Sequence, residues 1–146
     1  MDLTLKFLRL PHGENLPLPT YTTPGAAGMD ICSAEDFKLF HGNTKIFTTG
    51  FAVEVPAGHE LQVRSRSGLA AKHGVFVTNG IGTIDEDYRG ELMVILSHLG
   101  RNAHEIKRGD RIAQLVLCPV TRAATAEVAS LSETARGVGG LGSTGR

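Results

Sequence analysis

The sequence predicts an all-β protein, a closed barrel or jelly roll, and three observations carry that expectation. Apolar and polar residues alternate in Leu3-Thr4-Leu5-Lys6-Phe7, in Phe51-Ala52-Val53-Glu54-Val55 and in Leu61-Gln62-Val63-Arg64, the mark of strands with one buried face. Breakers such as Pro56-Ala57-Gly58, Asn79-Gly80 and Arg108-Gly109-Asp110 separate the apolar runs at even spacing. No long segment carries the 3.6-residue period of an amphipathic helix.

Taken along the chain, the first strand is followed by Leu16-Pro17-Leu18-Pro19, an extended connector in which proline removes backbone donors. The runs Gly74 to Val77, Leu92 to Leu96 and Ile112 to Val116 supply further short strands. One short helix is expected at Ser67-Gly68-Leu69-Ala70-Ala71-Lys72-His73-Gly74, with Ser67 as N-cap and Gly74 closing it. Ala123 to Arg136 is alanine-rich, and the alternation of Ala124, Ala126 and Val128 favours a strand through Val128. Residues 137 to 146 contain five glycines and only Val138 and Leu141 as apolar members, too little to fix one conformation. They read as a flexible arm.

At 146 residues the chain is one core's worth, since single domains run about 100–150 residues. Fifteen basic and fifteen acidic residues give zero formal net charge, which removes the whole-molecule field that draws proteins to nucleic acid polymers or anionic membranes. Hydrophobic residues at 41% and charged residues at 21% are ordinary globular usage and argue against extended disorder. Cys32 and Cys118 form no C-x-x-C pair, so a reduced, cytoplasmic setting is expected in place of a disulfide framework. Lys6 and Arg9 interrupt the only apolar stretch near the start, and no run reaches membrane-spanning length. The six histidines show no metal-ligand spacing, and nearly all of them read as scattered surface residues.

Four segments have the composition of a site. Arg64-Ser65-Arg66-Ser67-Gly68 leads from a strand into the short helix, where N–H groups, a hydroxyl and a guanidinium can meet one anion; a capped helix with solvated arginines fits the same residues. Gly82-Thr83-Ile84-Asp85-Glu86-Asp87-Tyr88-Arg89-Gly90 places three acids and a tyrosine at a hairpin tip, and a solvated turn accounts for the acids but not for Tyr88. Gln114 interrupts an apolar strand, as edge polar residues do. Gly137-Val138-Gly139-Gly140-Leu141-Gly142 has dinucleotide-like glycine spacing, yet no helix can follow it, so a Rossmann reading fails while wrapping of phosphates by backbone N–H groups stays open.

In order, Pro24-Gly25-Ala26-Ala27-Gly28-Met29-Asp30, Arg66-Ser67-Gly68, Gly82-Thr83-Ile84-Asp85 with Tyr88-Arg89-Gly90, Arg108-Gly109 to Ile112-Ala113-Gln114-Leu115, and Arg136-Gly137-Val138-Gly139-Gly140-Leu141-Gly142-Ser143 resemble the five ordered motifs of the trimeric dUTPase family. Each is weak alone; five in order and at matching spacing are specific. The resemblance implies a distorted jelly-roll β-barrel subunit with one short helix, spanning 1–135, and a C-terminal arm, 136–146. It implies a homotrimer whose sites combine motifs of all three subunits, and Mg2+-dependent hydrolysis of dUTP to dUMP and pyrophosphate.

By the same resemblance, Asp85 is the general base and Asp30 holds Mg2+ through coordinated water. Arg66, Ser67, Gly68 and Gln114 bind phosphates, Asn79, Thr83, Ile84 and Met93 line the uracil and sugar pocket, and Tyr88 packs under the deoxyribose. Arg136 reaches the γ-phosphate, with Leu141, Gly142 and Ser143 in the closing arm. Leu141 departs from the pattern, because the family usually carries a phenylalanine there to stack on uracil. A dCTP deaminase shares the fold, but its pattern around the third motif differs from Thr83-Ile84-Asp85-Glu86-Asp87-Tyr88. A regulatory role through a protein partner would leave no signature in these residues.

Overall fold

Period-two alternation in the sequence becomes ten strands and one helix in the computed structural model, which describes residues 3–143. Of the sequence segments read above, Met1, Asp2 and the last three residues of the 136–146 arm lie outside the described residues. The strands are β1 (Lys6–Arg9), β2 (Met29–Cys32), β3 (Phe37–Leu39), β4 (Thr44–Glu54), β5 (His59–Arg64), β6 (Val75–Val77), β7 (Ile81–Ile84), β8 (Glu91–His98), β9 (His104–Ile106) and β10 (Arg111–Pro119), with α1 (Ser67–His73) between β5 and β6. Two four-stranded sheets, ordered β1-β4-β8-β6 and β2-β10-β5-β7, and a β3-β9 ribbon make up the distorted jelly roll. All their pairings are antiparallel.

Alternate side chains turn inward along β5 and β8, and β8 shows the consequence most directly. Leu92, Val94, Leu96 and His98 are buried, while Glu91, Met93, Ile95 and Ser97 face the other way. The inward set joins Phe47 and Phe51 of β4, Leu61 of β5 and Ile112 and Leu115 of β10 in one continuous core. Phe47 is fully buried, so truncating it to alanine should cost about 3–5 kcal/mol in lost burial and cavity formation.

The helix forms where expected, one residue out of register at its start. Arg66, not Ser67, is the N-cap, and its side chain makes no capping bond. Gly74 closes the helix at φ +67°, in the left-handed region that glycine enters without penalty.

One expectation meets exceptions and one fails. His98 belongs to the inward register of β8 and is fully buried, with neither ring nitrogen bonded among the described residues; strand period outranks residue type here. His73 and His104 stack with ring centroids 4.3 Å apart, so these histidines are not scattered either. Ala123 to Val128 forms no strand. After Pro119 every residue to Ser143 is exposed except half-buried Gly139, and this alternating segment finds no strand edge to pair with in its own chain.

Candidate active site

The outward face of β8 and the β7 turn enclose a cavity of about 260 Å3. Asn79, Thr83, Ile84, Asp85, Tyr88 and Met93, six of the residues singled out from sequence, line it. Antiparallel pairing of β7 with β5 sets Gly82 opposite Val63. A Cβ on Gly82 would stand 3.1 Å from that of Val63 and 3.3 Å from the Asn79 amide nitrogen, so glycine lets the cavity wall close. Met93 reaches the cavity because it has the outward parity of β8, and its apolar neighbours Ile46 and Ile95 complete a wall suited to the face of a flat ring.

The tip of the hairpin carries the polar chemistry. Asp85 is exposed at the cavity, and its carboxylate has no hydrogen-bond or ion-pair partner among the described residues. Its backbone carbonyl accepts the Tyr88 N–H at 3.2 Å, a tight turn that folds the tyrosine back over the strand. The Tyr88 hydroxyl donates to the Glu91 carbonyl at 2.7 Å. One ring is thereby fixed under the cavity and one carboxylate is left available at its lip.

A second group forms around Asp30 on β2. Arg66 Nε lies 3.0 Å from Asp30 Oδ1 and Arg111 Nη1 lies 3.0 Å from Oδ2, so both oxygens are bridged. Gln114 sits on β10 between Asp30 and Arg64, which makes it a central position of the sheet and not the edge residue its surroundings in sequence suggest. Its amide donates to the Ser65 carbonyl at 2.9 Å, and a Cβ on Gly28 would come within 2.8 Å of its Oε1. Ser67 and Gly68 are exposed at the start of α1. No hydrogen bond or ion pair joins this group to the cavity residues among the described residues.

The arm stays apart from both. Arg136 Nε donates to the Gly139 carbonyl at 2.9 Å, and Leu141 is fully exposed. Gly142 and Ser143 belong to the same local turns, Ser143 N donating to Gly140 O at 3.2 Å. The structure therefore brings the hairpin residues together and the Asp30 group together, and leaves Arg136, Leu141, Gly142 and Ser143 at neither.

The dUTPase family profile matches residues 14–145. The chain belongs to the dUTPase family. It is 57% identical over 145 residues to the deoxyuridine 5'-triphosphate nucleotidohydrolase of Zymomonas mobilis, covering 99% of each chain. It is 52% identical to the enzyme of that name from Anaplasma marginale, covering 98% of this chain and 99% of that one. Among solved structures, the Staphylococcus bacteriophage 80alpha dUTPase with dUpNHpp superposes at a TM-score of 0.85 with 29% identity, over 98% of this chain and 99% of that one. A dUTPase of phage phi11 of S. aureus, solved to show the coordination of a structural Mg(II) ion, gives 0.80 with 25% identity, over 89% of this chain and 99% of that one.

Two residues of this family member escaped the sequence reading. Arg111 shares Asp30 with Arg66, and only the pairing of β10 with β2 reveals it. Glu91 borders the cavity and accepts backbone N–H groups of β4; its place directly after Gly90, at the outward parity of β8, was the available signal. Among the described residues no helix is long and apolar enough to cross a membrane.

Proposed function

We propose that the protein hydrolyses dUTP to dUMP and pyrophosphate, with Asp85 as general base and Mg2+ as cofactor, in a homotrimer whose active sites are shared between subunits. The observation that carries the reading is the cavity itself: one wall apolar, one tyrosine fixed beneath it, and an unpartnered carboxylate at its lip. Asp85 takes a proton from a water molecule, whose oxygen attacks the α-phosphorus in line. The bond from that phosphorus to the bridging oxygen breaks and pyrophosphate leaves with the electron pair. Such chemistry needs positioning and charge neutralisation more than covalent participation.

Uracil and sugar lie in the cavity against Asn79, Thr83, Ile84 and Met93, with Tyr88 beneath the deoxyribose. A 2′-hydroxyl or a 5-methyl group would clash, and cytosine would exchange a donor for an acceptor and leave buried polar groups unpaired. Arg66, Ser67, Gly68 and Gln114 bind phosphates. The arm then brings Arg136 to the γ-phosphate and lays Leu141, Gly142 and Ser143 over the nucleotide.

The donor set fits Mg2+ held through water. Asp30 is a single, part-exposed carboxylate whose two oxygens are held by Arg66 and Arg111, and it would come free to hold coordinated water once those guanidiniums turn to phosphates. That suits an ion that keeps several waters and takes phosphate oxygens over a protein cage. Bound there, Mg2+ would neutralise charge on the triphosphate. The expected cellular consequence is less uracil in DNA and a supply of dUMP for thymidylate, in the cytoplasm.

Pyrophosphate release measured across dUTP, UTP, dTTP and dCTP tests the reading. Turnover of dUTP far above the other three supports it; comparable turnover of UTP and dUTP overturns it.

A further inference from the structure

Over one stretch the β4-β8 ladder slips. Thr48 pairs with Met93 and Ala52 with Glu91, so four steps along β4 answer two along β8. Such a bulge strands backbone donors that the ladder would otherwise satisfy. Glu91 Oε1 accepts the Gly50 N–H at 2.8 Å and the Thr49 N–H at 3.2 Å. The same oxygen meets His12 Nε2 at 2.7 Å, which ties the chain's first turn to the bulge. Gly50, at φ +76°, faces Gly13 so closely that a Cβ would stand 2.3 Å from the Gly13 Cα, so the bulge and that turn are packed backbone to backbone.

Side chain and main chain of Glu91 point the clamp in two directions. The carboxylate, only 19% exposed, holds β4, while the carbonyl of the same residue accepts the Tyr88 hydroxyl at 2.7 Å. Thr49 reinforces the junction, its hydroxyl donating to the Leu92 carbonyl at 2.7 Å. Gly90 leaves the ring room, since a Cβ there would lie 2.5 Å from the Tyr88 hydroxyl oxygen. The height of the Tyr88 ring under the cavity thus depends on a carbonyl whose position the Glu91 carboxylate fixes.

We infer that Glu91 is a positioning residue for sugar selectivity: by clamping the β4 bulge it holds the anchor of Tyr88 and sets the clearance beneath the nucleotide sugar. The inference rests on the reading that dUTP binds with its deoxyribose over Tyr88. A glutamate that merely stabilised the sheet would alter melting temperature without altering discrimination between 2′-deoxy and 2′-hydroxy substrates.

The experiment measures kcat and KM for dUTP and UTP in wild type, Glu91→Ala, Glu91→Gln, Tyr88→Phe and the Glu91→Ala/Tyr88→Phe double variant, with thermal melting alongside. Wild-type preference for dUTP tests the underlying reading by itself, so its failure is recognised before any variant is compared. Glu91→Ala should lower the ratio of kcat/KM for dUTP over UTP by about tenfold, mainly through KM, while Glu91→Gln, which keeps an acceptor oxygen, should stay within about threefold. Tyr88→Phe should lower the ratio as well, and the double variant should fall no further than the worse single change, because both remove the same anchor. An unchanged ratio in Glu91→Ala, or fully additive losses in the double variant, overturns the inference. Should Glu91→Ala fail to fold, Glu91→Asp withdraws the oxygens by one methylene at constant charge and carries the same expectation and the same refutation.

Discussion

The hairpin cavity and the cationic groups around Asp30 and in the arm are opposites in how far their side chains are already committed. The cavity is finished within a single chain: strand parity aims Met93, β5 backs Gly82, and Tyr88 is anchored at both its N–H and its hydroxyl. The cationic groups are instead satisfied internally, Arg66 and Arg111 by Asp30 and Arg136 by a carbonyl three residues away. If dUTP binds as proposed, base recognition is thus preorganised, whereas the triphosphate must draw the cationic groups away from their present partners. Charged groups paired with each other must exchange those contacts to bind an anion, whereas an apolar cavity needs only to be filled.

The largest effect that could break this contrast is at Asp85. Asp85→Asn should lower turnover by roughly 10²–10⁴-fold while dUTP binding persists, the range for loss of a general base. Steady-state rates and calorimetry check it; near-normal turnover places the base elsewhere. Next comes the arm. Deleting residues 137–146 should cut turnover by roughly a hundredfold, the scale for losing substrate positioning, with the body still folded. A truncated chain as fast as the full one would make the arm a mere tail.

The body of the fold was legible because period two survives in Phe51 to Val55 and Leu61 to Arg64, and because apolar runs such as Leu92 to Leu96 stand between breakers; all lie in or against the strands found. The first half of β4 and all of β2, β3 and β9 carried no such signature, since β3 and β9 span three residues each and β2 only four. The hairpin tip stood out through its turn chemistry, while the roles of its residues, and Asn79 and Met93 altogether, came from the resemblance to the family. Arg111 and Glu91 were not legible, because their partners lie far along the chain, at Asp30 and at Thr49 and Gly50. Ala123 to Val128 misled for the same reason in reverse, since alternation without a strand edge makes no strand.

A finer test of the contrast is Leu141→Phe. An aromatic face on a base is worth about 1–3 kcal/mol by alanine substitution in nucleic-acid complexes, and leucine supplies only part of that. The variant should bind a non-hydrolysable dUTP analogue more tightly in calorimetry, and unchanged affinity would mean that residue 141 does not cover the base.

The smallest effect expected is on acid stability. Burial, with His73 and then His98 nearby, lowers the His104 pKa, and Asp110 only partly opposes this. Below the ordinary imidazole value of about 6.5 the unfolded chain therefore takes up this proton more readily than the folded one, and stability present above that pH is lost as pH falls toward the folded value. The melting temperature should drop between about pH 7.5 and about pH 5, and His104→Gln should shrink the drop. An undiminished drop would assign it to other groups.

Subunit complementation tests most directly whether the preorganised cavity and the arm that completes it come from different chains. Differently tagged Asp85→Asn and arm-deleted chains, each strongly impaired alone, are co-expressed, and mixed oligomers are isolated through both tags and assayed for pyrophosphate release from dUTP. Sites pairing an intact Asp85 with a neighbour's intact arm should restore a clear fraction of wild-type turnover. Mixed oligomers as slow as their parents would mean that one chain builds the whole site, and would contradict the account.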